Sequence, residues 1–179
     1  FSNCKKIKEI NLKNLDTSSV NIMKDVFHHC EKLESVDISN FDTSLVTTMY
    51  EMFFHCYKLK SIKFPETFNT SNVETMHAMF SNCLSLTSLN LSTFNVSKAK
   101  NIGYMFHCCN KLKYLDVSHF STLNLIKIDY MFRYLSSLVY LNIYSLEINE
   151  SVSKLRAFEF INSNVIICAN KINMQTFLS

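Results

Sequence analysis

The chain has 179 residues, of which 47% are hydrophobic and 18% charged, and a formal net charge of +3. That composition suits one well-cored domain and excludes a disordered polar segment. So small and evenly spread a charge argues against nucleic acid or an anionic membrane as partner. The single Gly and single Pro (Gly103 and Pro65) leave no basis for glycine-rich phosphate loops or for many tight primed turns. No run approaches the ~18 consecutive apolar residues of a membrane span. No initiator Met, basic n-region or apolar h-region opens the chain, and Phe1 falls in mid-repeat, so the sequence reads as an internal piece of a longer polypeptide.

Phe-x-x-Cys recurs at Phe1–Cys4, Phe27–Cys30, Phe53–Cys56, Phe80–Cys83 and Phe106–Cys109. Units therefore start near 1, 27, 53, 80, 106 and 132, and a period in this range marks stacked structural repeats. In the first unit Ile10 and Leu12 alternate with polar neighbours, which predicts a short half-buried strand. Asp16–Ser18 follows as a capping sequence, and Val20, Met23, Phe27 and Cys30 then fall on one face of a predicted helix. The second unit repeats this with Val36 and Ile38, Asp42–Ser44, then Val46, Met49, Phe53 and Cys56. The third carries one extra residue near Pro65, just past its strand, where a bulge and a missing donor are tolerated. One unit cannot bury its own apolar face, so neighbours must stack. The expected fold class is α/β: a solenoid of short parallel strands, each followed by a short helix, over residues 1–144. Leu135 replaces the cysteine in the sixth unit, and the pattern fades from Ser145. Residues 145–179 read as a degenerate last repeat or C-terminal cap, with a final strand at Val165–Cys168 and a short helix at Ile172–Leu178.

The second unit, FHHCEKLESVDISNFDTSLVTTMYEM from Phe27 to Met52, resembles the BspA-type leucine-rich repeat, also known from mycoplasma repeat lipoproteins. The resemblance runs from Phe1 to about Ile143. It implies a right-handed leucine-rich-repeat solenoid in a surface-exposed protein, with roles in adhesion to host or neighbouring molecules and no shared catalytic site.

Five of the seven cysteines, Cys4, Cys30, Cys56, Cys83 and Cys109, share one column and are expected to point inward as a ladder of free thiols rather than as cystines, because equivalent side chains project in parallel. Cys108 lies outside that column and is the more exposed candidate. Histidine beside cysteine (His28, His29, His55, His107) raises the question of metal. With the thiols turned inward the four convergent ligands of a zinc site are not available, so solvated histidines are expected, with weak chelation by His29 and His55 across adjacent units as the alternative. No metal and no cofactor is called. The methionine columns read as core. The sequons at Asn69, Asn90, Asn95 and Asn149 are no more than an Asn-, Ser- and Thr-rich chain gives by chance. No hydrolase elbow, His-Glu-x-x-His or phosphate loop is present, so the protein is not expected to be an enzyme.

Binding is expected on the exposed strand residues of the concave face: Asp37, Lys63, Asn90, Tyr114, Asp116, Tyr140, Asn142 and Tyr144. The tyrosines cluster late in the chain and suit a protein interface. The first reading is a non-catalytic adhesion or protein-binding module at the cell surface, with a host or neighbouring protein as partner. The alternatives are a building block of a surface layer, filament or viral particle, and an intracellular scaffold, which abundant free thiols would suit.

Overall fold

The structure is a computed structural model that describes residues 1–120, 124–146 and 148–170. The described residues include five three-residue strands: β1 (Ser35–Asp37), β2 (Ser61–Lys63), β3 (Tyr114–Asp116), β4 (Tyr140–Asn142) and β5 (Ile166–Cys168). β1 pairs with β2, and β3 with β4 and β5, all parallel and in register at one repeat's spacing. A second line of parallel bridges joins Ile22, Thr48, Thr75, Asn101, Lys127 and Ser153 in turn. Successive coils therefore lie directly on one another. The alternation read from sequence is obeyed: Val36, Leu115 and Leu141 face the core while their neighbours face out.

The α/β class expected, with a helix in every repeat, is not what the described residues form. No described residue is helical, so the expectation of one helix per repeat is overturned. A wall of overlapping turns stands in its place. Two residues per coil have left-handed backbone: Asp25 and His29 (φ 59° and 56°), then Glu51 and His55 (51° and 60°), and so on to Arg156 and Phe160. A right-handed helix cannot pass through such residues. In the second wall the N–H groups of Met52, Phe54 and Cys56 close i→i+3 turns within the coil, on Met49, Glu51 and Phe53. Glu51 and His55 occupy the third position of two of these turns, where a type II turn needs φ > 0. The alternate N–H groups leave the coil altogether. Met23, Asp25, Phe27 and His29 donate to Thr48, Tyr50, Met52 and Phe54 of the next coil, and this set of four recurs at every later junction through Tyr134 to Glu159. The turn unit repeats every four residues, so it buries nearly the same positions as a 3.6-residue helix would.

The Asp-Thr-Ser segments cap turns instead of helices. Asp16, Asp42 and Asn69 each accept the N–H of the serine two residues on, at 2.9 Å. The threonine between them is buried and clips coils together. Thr70 donates to the Asn95 carbonyl and accepts from the Asn95 N–H, both at 2.7 Å, and Thr43 treats Asn69 in the same way.

Inside, equivalent side chains form continuous columns. Phe1, Phe27, Phe53, Phe80, Phe106, Phe132 and Phe158 stack with centroids 5.1–6.2 Å apart and nearly parallel planes. The thiols run beside them and are all free. Cys30, Cys56, Cys83 and Cys109 are buried, whereas Cys4 is half-buried. Each buried thiol donates to the carbonyl of the phenylalanine one coil earlier: Cys56 to Phe27 at 3.1 Å, Cys83 to Phe53 at 3.3 Å, Cys109 to Phe80 at 3.1 Å. That carbonyl also accepts the in-coil N–H of the following cysteine, so both its lone pairs are served. Burial pushes the Cys109 thiol up to about 12, which keeps it protonated and able to donate.

The strand line breaks once. Residues 88–90 form no strand, which leaves two sheets in place of one. The extra residue predicted near Pro65 lies beside the break: the turn that Ile38 and Phe41 close in the preceding coil is closed here by Pro65 and Phe68. Clefts of about 430 and 210 Å³ open on either side of Asn90. Beyond Ser145 the coil continues through Ser153, Phe158 and β5. The short helix expected at 172–178 lies outside the described residues.

Thr70→Val should lower stability by about 1–2 kcal/mol in urea unfolding, through loss of the hydroxyl's two bonds; the shape should be tolerated, because Val96 fills the equivalent buried place one coil on. Asn82 stands in the left-handed column at φ 62°. Asn82→Val should cost about 1–2 kcal/mol and Asn82→Gly close to nothing, since a β-branched residue resists φ > 0 and glycine does not. On the outer side of the wall, burial holds His55, His77 and His107 below the ordinary imidazole range. Between their folded values and about 6.5 the unfolded chain binds more protons, so stability is full above that pH and falls as pH drops below it. The exposed carboxylates Asp37, Glu34 and Glu74 are shifted down instead, so their contributions fade only in more acid solution. The melting temperature should decline from pH 7 to pH 5, and His107→Gln should flatten that decline.

Candidate functional site

Two surfaces gather chemistry, the strand face and the outer side of the turn wall. On the strand face, the eight residues singled out from sequence divide by role. Asp37, Asn90, Asp116 and Asn142 each use a side-chain oxygen to accept the N–H two residues on, from Ser39, Ser92, Ser118 and Tyr144. Asp37, Asp116 and Asn142 end strands, Asn90 holds the matching place in the coil without one, and this geometry occupies part of their capacity to bind a partner. Asp37 also pairs with Lys63 at 3.1 Å. The two Asp37 contacts hold its carboxyl down at about 2, the Ser39 hydrogen bonds contributing first and Lys63 after them. Asn142 donates to Asp116 at 3.2 Å. These are exposed pairs across adjacent coils and contribute little to stability.

The tyrosines are different. Tyr114 is 62% exposed and Tyr144 56% exposed, and neither side chain is needed to close a turn. Register sets Tyr114 beside Tyr140 and Tyr140 beside Ile166, itself 64% exposed. A row of apolar side chains thus crosses β3, β4 and β5 on the open face. Ile166 was missed from sequence because the repeat pattern fades there; the run Val165–Cys168 was the available signal. Tyr140 is half-buried, and its hydroxyl is shifted up by burial first and by Cys168 and Asp116 after it.

The turn wall was underrated from sequence. Its histidines are half-buried and ring-stacked rather than solvated. His29 Nε2 and His55 Nδ1 approach to 3.2 Å, and the His28 ring lies flat on Phe54 at 5.2 Å. Farther along, Tyr50, His77, Tyr104 and Tyr130 form an unbroken chain of ring contacts. Arg133 then lies over Tyr134 at 4.4 Å and pairs with Glu159. These contacts exist because the left-handed columns set equivalent side chains one coil apart. Cys108 is half-buried, not freely exposed, and contacts His107 at 3.7 Å. Burial raises its thiol, which makes it a poor nucleophile at neutral pH. Among the described residues one cluster has the atoms to hold a metal ion, Asp25, His28 and Glu51. No described helix is long and apolar enough to cross a membrane.

No curated protein matches the chain. Among solved structures, a leucine rich cell surface protein from Faecalibacterium prausnitzii A2-165 is 13% identical, with 85% of this chain and 64% of that one covered and a TM-score of 0.23. The chain thus spans just under two thirds of that protein's length, and the likeness is too slight to carry an argument. The family described as Mycoplasma protein of unknown function, DUF285, matches residues 1–88 and 61–164. Those matches together span nearly all of the repeat array, and the chain belongs to that family.

Proposed function

We propose that the protein is a non-catalytic binding module of a surface protein, and that it takes a protein partner on the strand face. The observation that carries this reading is the exposed row of Tyr114, Tyr140 and Ile166, with Tyr144 beside it. Large apolar side chains held in register on this face offer contact area at little entropic cost, because the backbone beneath them is already fixed. The first four coils present smaller polar groups there, several engaged in turns, so the binding centre lies over β3–β5. The resemblance to BspA-type repeats favours an adhesive role outside the cell, and the turn-capping roles of Asp37 and Asp116 suit a face that binds rather than reacts.

The test places a photo-crosslinking residue at Tyr144 in protein displayed on cells that carry candidate surface partners. A discrete crosslinked heteromeric product is expected, and Tyr114→Ala with Tyr140→Ala should cut its yield about tenfold or more while leaving the melting temperature unchanged within a few degrees. Equal crosslinking by the double variant would overturn the reading. A product composed only of copies of this chain would replace it with an assembly role.

A further inference from the structure

We propose that Asp25, His28 and Glu51 bind one divalent transition-metal ion of the zinc class on the outer side of the turn wall. The three residues come from two adjacent coils, and one ligand atom from each lies within 4.8 Å of the others. His28 Nε2 and Glu51 Oε2 are 3.2 Å apart. Two donors bound at ~2.0–2.2 Å around a tetrahedral ion stand about 3.3–3.6 Å apart, so this pair is already close to the spacing of a shared ion. One imidazole with two carboxylates is a donor set that suits Zn²⁺ and its neighbours better than Mg²⁺ or Ca²⁺.

A plain ion pair between His28 and Glu51 would also explain that distance. It leaves Asp25 unexplained. Asp25 Oδ1 is shielded from solvent and has no hydrogen-bond partner. Its other oxygen lies 3.9 Å from Lys24 Nζ. A shielded carboxylate oxygen without a donor is costly, and a cation between Asp25 and Glu51 would serve it. The surroundings also orient a ligand: the His28 ring is held between the face of Phe54 and the edge of His29. Partners of this kind decide ligand orientation in metal sites.

Among the described residues the constellation occurs once. Asp25 and Glu51 head the left-handed column that continues as Ala78, Tyr104, Tyr130 and Arg156, and the His28 column continues as Phe54, Ser81, His107 and Arg133. Turn geometry is shared by every coil and demands none of these three side chains. The site is also reachable, since the side chains of Asp25, His28 and Glu51 are 35%, 21% and 18% exposed.

The test is titration of chelator-treated whole chain with ZnCl₂ by calorimetry, and with CoCl₂ by visible absorption. One ion per chain is expected, with a Co²⁺ band of a four- or five-coordinate site. Asp25→Asn and Glu51→Gln, both near-isosteric, should each weaken Zn²⁺ at least tenfold and abolish the band while leaving the metal-free melting temperature nearly unchanged. His55→Ala, which removes the rival His29/His55 pair, should leave affinity within threefold. Absence of binding below millimolar Zn²⁺, unchanged affinity in Glu51→Gln, or loss only in His55→Ala would each overturn the proposal.

Discussion

Four axial hydrogen bonds at each junction decide this fold. They run from alternate N–H groups of one turn wall to the carbonyls of the next. To aim every second peptide along the stack, the backbone must turn left-handed twice per coil, and residues other than glycine are held there at a cost of roughly 1–2 kcal/mol each. Only a neighbour in register repays that cost, because only a neighbour supplies the acceptor. Everything else in the coil follows from that register. The phenylalanine rings stack, the thiols find the carbonyl of the coil before, and the threonines clip one turn to the next.

The strand half of the repeat was legible. Two-residue alternation is unambiguous over Val36–Ile38 or Leu115–Val117, and the inward thiol column could be read from Cys30, Cys56, Cys83 and Cys109. The other half misled. Val46, Met49, Phe53 and Cys56 are buried, as a helix would bury them, but a wall of four-residue turns buries the same set, so apolar spacing alone cannot separate the two. The distinguishing signal was present and small. The residue before the cysteine is Asn3, His29, His55 or Asn82 in the first four units, and asparagine and histidine accept left-handed backbone better than most. The scarcity of glycine argued against such backbone, and Tyr134 and Phe160 in the same column hide the trend. The two-sheet break was not legible beyond the extra residue at Pro65, because whether a bulge is absorbed depends on the neighbouring coil.

Candidate sites were legible in the same uneven way. Tyr114, Tyr140 and Tyr144 were found because strand alternation says which side chains face out. Asp37, Asn90, Asp116 and Asn142 were found for the same reason, yet their oxygens are already committed to closing turns. Asp25, His28 and Glu51 were invisible as a group. They are brought together by left-handed residues in two coils, which no linear spacing announces. The two surfaces are physically independent: one is an open apolar row over the last strands, the other a polar cluster on the early turn wall.

The axial peptides have one further effect. Every second N–H in the turn wall points toward the later coil, and the carbonyl that shares its peptide points toward the earlier one. A peptide unit carries a dipole of about 3.5 D, and units aligned head to tail add, as they do along a helix. The wall therefore behaves as four parallel rows of aligned dipoles, a macrodipole without a helix. Its negative pole lies at the early coils and its positive pole at the late ones, so cations are drawn to the beginning of the stack and anions to its end.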